Sequence, residues 1–294
     1  MGTDRSVTLQ AADGRRLKVY LAGPQDGVPL LFHHGTPGTG IPYGPMVEAM
    51  AERGLRYVAV NRPGYGASDR RPGRDVAALA ADAAAVLDGI GADRAYVMGY
   101  SGGGPHALAC GALLPERVIG VATVGCIAPY AAEGLEWTAG MGEENVAEFG
   151  AALAGAEALE GFIGQWTPVL RQLSGEQVAD ELGDLVAEVD RAALTGEYGK
   201  HVAESMREGL STSHWGWFDD DLAFTRPWGF DLGEIGVPVH LWQGEQDRMV
   251  PFAHGEWLAR HVGNACAHLL AEDGHLSLAV GSIGRILDEL RAGA

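Results

Sequence analysis

Gly99-Tyr100-Ser101-Gly102-Gly103 sets one hydroxyl in a run with little side-chain bulk around it. Apolar Tyr96, Val97 and Met98 precede it, as in a buried strand. A small-residue segment from His106 to Leu114, just after Pro105, has helical character. A strand that turns abruptly into a helix presents the residue at the turn above the sheet. That residue is strained, and its neighbours must lack bulk for strand and helix to pass closely. Gly99 and Gly103 provide the clearance. Ser101 Oγ then projects outward, and the Gly102 N–H points into the same space. A hydroxyl beside a free backbone donor suits nucleophilic attack on a carbonyl.

The chain has 294 residues, 47% of them hydrophobic, and a formal net charge of −18. This allows one large core, alone or with an insertion. The acidic balance speaks against a nucleic-acid partner, which requires a positive stripe facing the phosphates. It also disfavours docking on an anionic membrane. No stretch approaches the ~20 apolar residues of a spanning helix, and Met1 to Arg16 contains no apolar secretory segment. Gly2 and Ser6 match an N-acylation spacing, a short pattern with nothing beside it. Cys110, Cys126 and Cys266 are far apart in apolar surroundings, with no C-x-x-C pair. They read as buried, reduced thiols, which suits the cytoplasm.

The elements that must position Ser101 follow from periodicity. Val7–Leu9 and Arg16–Leu21 flank Asp13-Gly14, a hairpin signal, and form an antiparallel edge. Residues 29–33, 55–60, 96–98 and 118–124 are continuous apolar runs. Between them lie helical segments at 43–53, at 76–88 behind an Asp75 cap, and after Pro105. Gly89 and Gly91 end the second of these helices. Strands that are apolar throughout and alternate with helices imply a doubly wound, mostly parallel sheet covered on both faces. From Pro129 to Trp228 the pattern is helical only. A strand at 238–242, a helix at 252–262, a strand at 265–270 and a helix at 276–290 then restore the alternation. The expected division is a core of residues 1–128 and 229–294 with a helical cap of residues 129–228.

With these residues in place, the chain resembles the α/β-hydrolase fold family over nearly its whole length. In that family the serine is followed by an acid after a late strand and a histidine after the last strand. The matching positions are Asp247, in Gly244-Glu245-Gln246-Asp247, and His275, in Glu272-Asp273-Gly274-His275. The resemblance implies that His275 takes the Ser101 proton and that Asp247 orients and stabilises the imidazole. Glu245 is the rival acid, disfavoured by family spacing. His34-Gly35-Thr36-Pro37-Gly38 resembles the family's oxyanion loop, which assigns the oxyanion donors to the Thr36 and Gly102 N–H groups. Asn61 to Asp69 resembles a supporting turn of the family. His34, Tyr100 and Trp215 are candidate substrate contacts; His33, His106 and His214 are pocket liners or ordinary structural histidines.

A serine nucleophile separates the chain from the dehalogenases and epoxide hydrolases of this fold, which use aspartate. The loop, turn and insertion look most like the branch of prolyl aminopeptidases and related esterases. The resemblance therefore implies cleavage of a small-molecule ester or amide through an acyl-enzyme, with no metal or organic cofactor. Perhydrolysis, C–C bond hydrolysis or a biosynthetic tailoring step by the same triad are alternatives, as is a hydrolase-fold ligand receptor. The insertion's carboxylates, Glu133, Glu136, Glu143, Glu144, Glu148 and Asp219 to Asp221, read mainly as a solvated face. The alternative is a preference for a cationic substrate, such as a free α-amino group. Trp137, Trp166, Trp215, Trp217 and Trp228 form either an apolar acyl pocket or the insertion's own core.

Overall fold

Buried apolar runs of five to seven residues leave the chain few choices beyond a central sheet, and the computed structural model, which describes residues 5–293, has eight strands in one. They are β1 (Arg5–Gln10), β2 (Arg16–Ala22), β3 (Val28–His33), β4 (Leu55–Val60), β5 (Ala95–Tyr100), β6 (Val118–Val124), β7 (Val239–Gly244) and β8 (Ala265–Leu270). Their order is β1-β2-β4-β3-β5-β6-β7-β8. The β1–β2 hairpin joins antiparallel to β4; every later pairing is parallel. Gly14 closes the hairpin at φ 86°, a conformation glycine adopts without penalty. Gly2, part of the acylation pattern, lies outside the described residues.

Alternate residues of each strand feed two cores. Leu31, Val97 and Val121 face helices α2 (Ala78–Ile90) and α3 (Gly104–Leu113) on one side. Leu30, Tyr96 and Ala122 face α1 (Gly44–Ala51) and the C-terminal helix on the other. The second helix starts at Ala78 rather than Val76. Asp75 Oδ1 accepts the Ala78 N–H at 2.8 Å, but the intervening turn is closed by i+3 bonds instead of helical ones.

Between β6 and β7, which pair directly, the described chain is helical without a strand. This segment contains α4 (Glu143–Ala154), α5 (Ala156–Leu170), α6 (Val178–Glu181), α7 (Glu188–Ala193), α8 (Glu197–Gly209) and α9 (Trp215–Phe224). Leu159, Ile163, Val178, Ala203 and Trp217 share one core with Tyr65, after β4, and Leu276, after β8. The fold closes with α10 (Phe252–His261), α11 (His275–Gly281) and α12 (Ile283–Ala292). Among the described residues no helix is long and apolar enough to cross a membrane.

Cys110 and Cys126 are buried, but Cys266 is exposed. It lies on β8, the edge strand of the sheet. In register with it is His240, whose Nδ1 lies 3.2 Å from His268 Nε2.

Candidate active site

Ser101 sits where β5 breaks into a single 3₁₀ turn ahead of α3. Its φ of 53° makes it the only non-glycine residue with positive φ among the described residues. The glycines around it are required by close approach. A Cβ on Gly99 would lie 2.7 Å from the Gly103 carbonyl carbon, and one on Gly103 would lie 2.6 Å from that of His33. A Cβ on Gly102 would collide with the Thr36 side chain, so the loop after β3 and the start of α3 are in contact there.

Asp247 follows β7, and His275 is the first residue of α11, after β8. His275 Nδ1 and Asp247 Oδ2 are 2.7 Å apart, and both residues are buried. With a proton on Nδ1 directed at the carboxylate, Nε2 is left free to accept one. The carboxylate is otherwise saturated. Oδ1 accepts the Met249 and Val250 N–H groups at 2.9 and 2.7 Å, and Oδ2 accepts Gln243 Nε2 at 2.9 Å. Glu245 is exposed and plays no part in this. Burial on its own would lower the His275 pKa. The charge and hydrogen bond of Asp247, with the charge of Asp190, outweigh it and hold the imidazole above its ordinary value.

Asp190 escaped the sequence reading. It comes from α7, is fully buried, and accepts the N–H groups of His275, Leu276 and Ser277 at 3.0, 2.9 and 2.8 Å. It thereby caps α11 from a distant part of the chain. The Gly274 N–H goes to Ser277 Oγ at 2.8 Å.

The oxyanion-type loop is held from below. Arg62 and Asp220 are both fully buried; Arg62 Nη2 donates to Asp220 Oδ2 at 2.7 Å and to Thr36 Oγ1 at 2.9 Å. Thr36 Oγ1 and Tyr65 OH each donate to Asp220 Oδ2 at 2.8 Å, and Arg74 Nη2 donates to Oδ1 at 2.5 Å. The Arg62 guanidinium also donates to the carbonyls of His34 and Gly35. His34 Nδ1 faces Gly35 O at 2.8 Å, while Nε2 accepts the Arg62 N–H at 3.1 Å. Burial first, and then the Arg62 charge, keep this imidazole neutral with its pKa far below the ordinary value. His34 is thus a loop organiser as well as part of the cavity wall.

Ser101, Gly102, Thr36, His34, Tyr100 and His275 all line one cavity of about 250 Å³. Asp247 is joined to His275 directly; Ser101 shares the cavity with His275, and its hydroxyl makes no hydrogen bond to the imidazole. Trp215 does not line this cavity. Its ring lies under Arg70, 3.9 Å from the guanidinium carbon, whereas Trp166 and Trp217 do form part of the wall. Trp137 and Trp228 belong to the main core. His33, His106 and His214 are not in the wall either. His33 Nε2 faces Cys110 Sγ, and His106 Nε2 is 3.5 Å from Asp220. Asp219, Asp220 and Asp221 are buried, contrary to a solvated face: Arg70 pairs with Asp219, and Arg62 and Arg74 pair with Asp220.

Residues 28–282 match the family model described as alpha/beta hydrolase fold. The chain is 29% identical to a non-heme chloroperoxidase of Streptomyces lividans over 84% of each chain. It is 26% identical to a 2-hydroxy-6-oxononadienedioate/2-hydroxy-6-oxononatrienedioate hydrolase of Cupriavidus pinatubonensis, over 93% of this chain and 89% of that one. An esterase from Exiguobacterium antarcticum superposes with a TM-score of 0.68 at 20% identity, covering 99% of this chain and 98% of the other.

Proposed function

Because the chain belongs to the alpha/beta hydrolase fold family and is an enzyme, we propose that it cleaves an ester or amide of a small molecule through an acyl-enzyme on Ser101. The reading is carried by one arrangement. A histidine hydrogen-bonded to Asp247 and a serine at φ 53° open on a single cavity. His275 Nε2 takes the Ser101 proton as Oγ attacks the carbonyl. For this the hydroxyl must come within about 3 Å of Nε2, a distance that unliganded sites often exceed. The imidazolium formed is stabilised by Asp247 and then protonates the leaving group. Water, deprotonated by the same nitrogen, releases the acid. The Thr36 hydroxyl is engaged with Asp220, so the backbone N–H groups of Thr36 and Gly102 are the donors we assign to the oxyanion.

In this reading residues 129–228 are a cap on the core formed by 1–128 and 229–294. The helical segment supports it by supplying Phe162, Trp166 and Trp217 to the cavity wall and Asp190 to the histidine. A panel of p-nitrophenyl esters and amino-acid p-nitroanilides tests the mechanism. Ser101→Ala is expected to abolish turnover and to prevent covalent labelling by a fluorophosphonate, read by mass spectrometry. An alanine variant as fast as the parent would refute it. The chloroperoxidase relative favours a second reading, perhydrolysis, in which hydrogen peroxide replaces water and a peracid leaves. Peroxide-dependent halogenation exceeding ester hydrolysis would select it.

A further inference from the structure

Two histidines and a cysteine come together away from the reacting cavity. β7 and β8 run parallel, with His240 opposite Cys266 and Trp242 opposite His268. Side chains two apart in a strand point to the same face, so His240, Cys266 and His268 share one face of the sheet. One ligand atom from each, an imidazole nitrogen or Sγ, lies within 4.8 Å of the other two. This is the one group of three or more His, Cys, Asp or Glu side chains with such spacing among the described residues. None of the three lines the cavity that holds Ser101.

The spacing of the imidazoles fits a shared ion. Two nitrogens bound at about 2.0–2.1 Å to a tetrahedral centre stand about 3.3 Å apart. His240 Nδ1 and His268 Nε2 are 3.2 Å apart. Without an ion, one ring donates a hydrogen bond to the other. With an ion, the shared proton moves to the other nitrogen of its own ring, and both rings stay neutral. Neighbours already orient them. The His268 ring stacks on Trp242, with centroids 3.8 Å apart and planes 7° from parallel. A Cβ on Gly293 would lie 2.7 Å from His240 Nε2, so α12 ends against that edge of the ring while Nδ1 faces His268. The C-terminal end of a helix carries partial negative charge. Glu289 of α12 adds a full one, which acts on both imidazoles. Arg285, whose guanidinium lies 5.1 Å over the Trp242 ring, opposes it at His268.

We propose that His240, Cys266 and His268 bind one zinc ion, with water in the fourth position, as a clamp between β7 and β8. Two imidazoles and a thiolate are borderline to soft ligands and suit tetrahedral Zn²⁺, whereas Mg²⁺ and Ca²⁺ take oxygen. Binding breaks the Cys266 S–H bond and forms Zn–S, and the proton passes to solvent. Cys266 is exposed, which gives the ion a way in. The position suits a structural role. His240 lies four residues before the end of β7, about 13 Å along the strand from the end that leads to Asp247. Among the described strands β8 pairs with β7 alone, so the ion would tie down the edge of the sheet. It would also join the two strands that lead to Asp247 and His275. The site does not depend on the serine-hydrolase reading.

Co²⁺ is the probe, because Zn²⁺ has a filled d shell and no visible absorption. The untagged full-length chain, reduced and freed of metal, is titrated with Co²⁺. A thiolate-to-cobalt charge-transfer band in the near ultraviolet and the strong visible bands of four-coordinate cobalt are expected. They should saturate at one ion per chain and disappear when Zn²⁺ is added. Cys266→Ser should remove the charge-transfer band. His268→Gln should weaken binding by more than the roughly tenfold cost of losing an outer partner of a ligand. Zinc should raise the Tm of the parent above its value in EDTA, and Cys266→Ser should lose that increment. A parent without the charge-transfer band overturns the site, whether or not the variants fold. An undiminished band in Cys266→Ser overturns it too, since the thiolate would then be another cysteine.

Discussion

At the residue scale, the proposed mechanism makes protons at His275 govern both rate and stability, in opposite directions. The nitrogen must be neutral to accept the Ser101 proton, so kcat/KM should rise with pH, with an acid limb above the ordinary histidine value of 6.5. A raised folded-state pKa means that the fold favours the charged imidazole. Its stabilising contribution is therefore complete below the unfolded value and is lost as pH climbs through the folded one. Asp190 is one of the charges that raise it. Asp190→Asn should move the acid limb of the kcat/KM profile to lower pH, in addition to lowering stability by roughly 0.5–2 kcal/mol for the weakened cap. A profile that keeps its limb in place while Tm falls would confine Asp190 to a structural role.

At the element scale, the turn from β5 into α3 is where the backbone is packed most closely. Gly103 has φ −78°, a value any residue adopts, so its need for glycine is steric rather than conformational. Its missing side chain makes room for the His33 and His34 carbonyls. Gly103→Ala should cost about 1–3 kcal/mol or more in urea unfolding, with backbone rather than a flexible side chain forced to yield. This element was readable in advance because its signal is local: apolar strand, glycines around a serine, small-residue helix. The positions of Asp247 and His275 after β7 and β8 were legible through the family resemblance, which expects an acid after a late strand and a histidine after the last. Asp190 and Gln243 were not, because nothing near them in sequence announces that they grip His275 and Asp247. Trp215 and the Asp219–Asp221 run were misassigned for the same cause. Arginines at 62, 70 and 74 bind Asp219 and Asp220 in a buried network, and Arg70 claims the indole. Cys266 was misread because an apolar strand at a sheet edge is not thereby covered.

At the scale of the whole molecule, Asp220 joins parts of the chain that are distant in sequence. It belongs to the helical segment, yet its partners are Arg62 and Tyr65 from the turn after β4, Arg74 ahead of α2, and Thr36 after β3. Burial opposes its charge, but Arg62 and Arg74 more than compensate and hold its pKa far below the usual carboxylate range. The sign follows. Its contribution is present above the unfolded carboxylate value of about 3.9 and is lost only as pH falls towards the depressed folded one. Replacing both partners of such a network with apolar groups can be neutral, whereas removing one leaves its counter-charges buried and unpaired. Asp220→Ala strands two guanidinium groups and frees the Thr36 hydroxyl. The expected loss is about 3–5 kcal/mol at neutral pH by denaturant titration. Asp220→Asn preserves shape and should recover part of the stability but little of the charge. In both variants kcat should fall for accepted esters, because the Thr36 loop loses its anchor. A stable Asp220→Ala enzyme with unchanged kcat would mean that the loop after β3 holds its position without the helical segment.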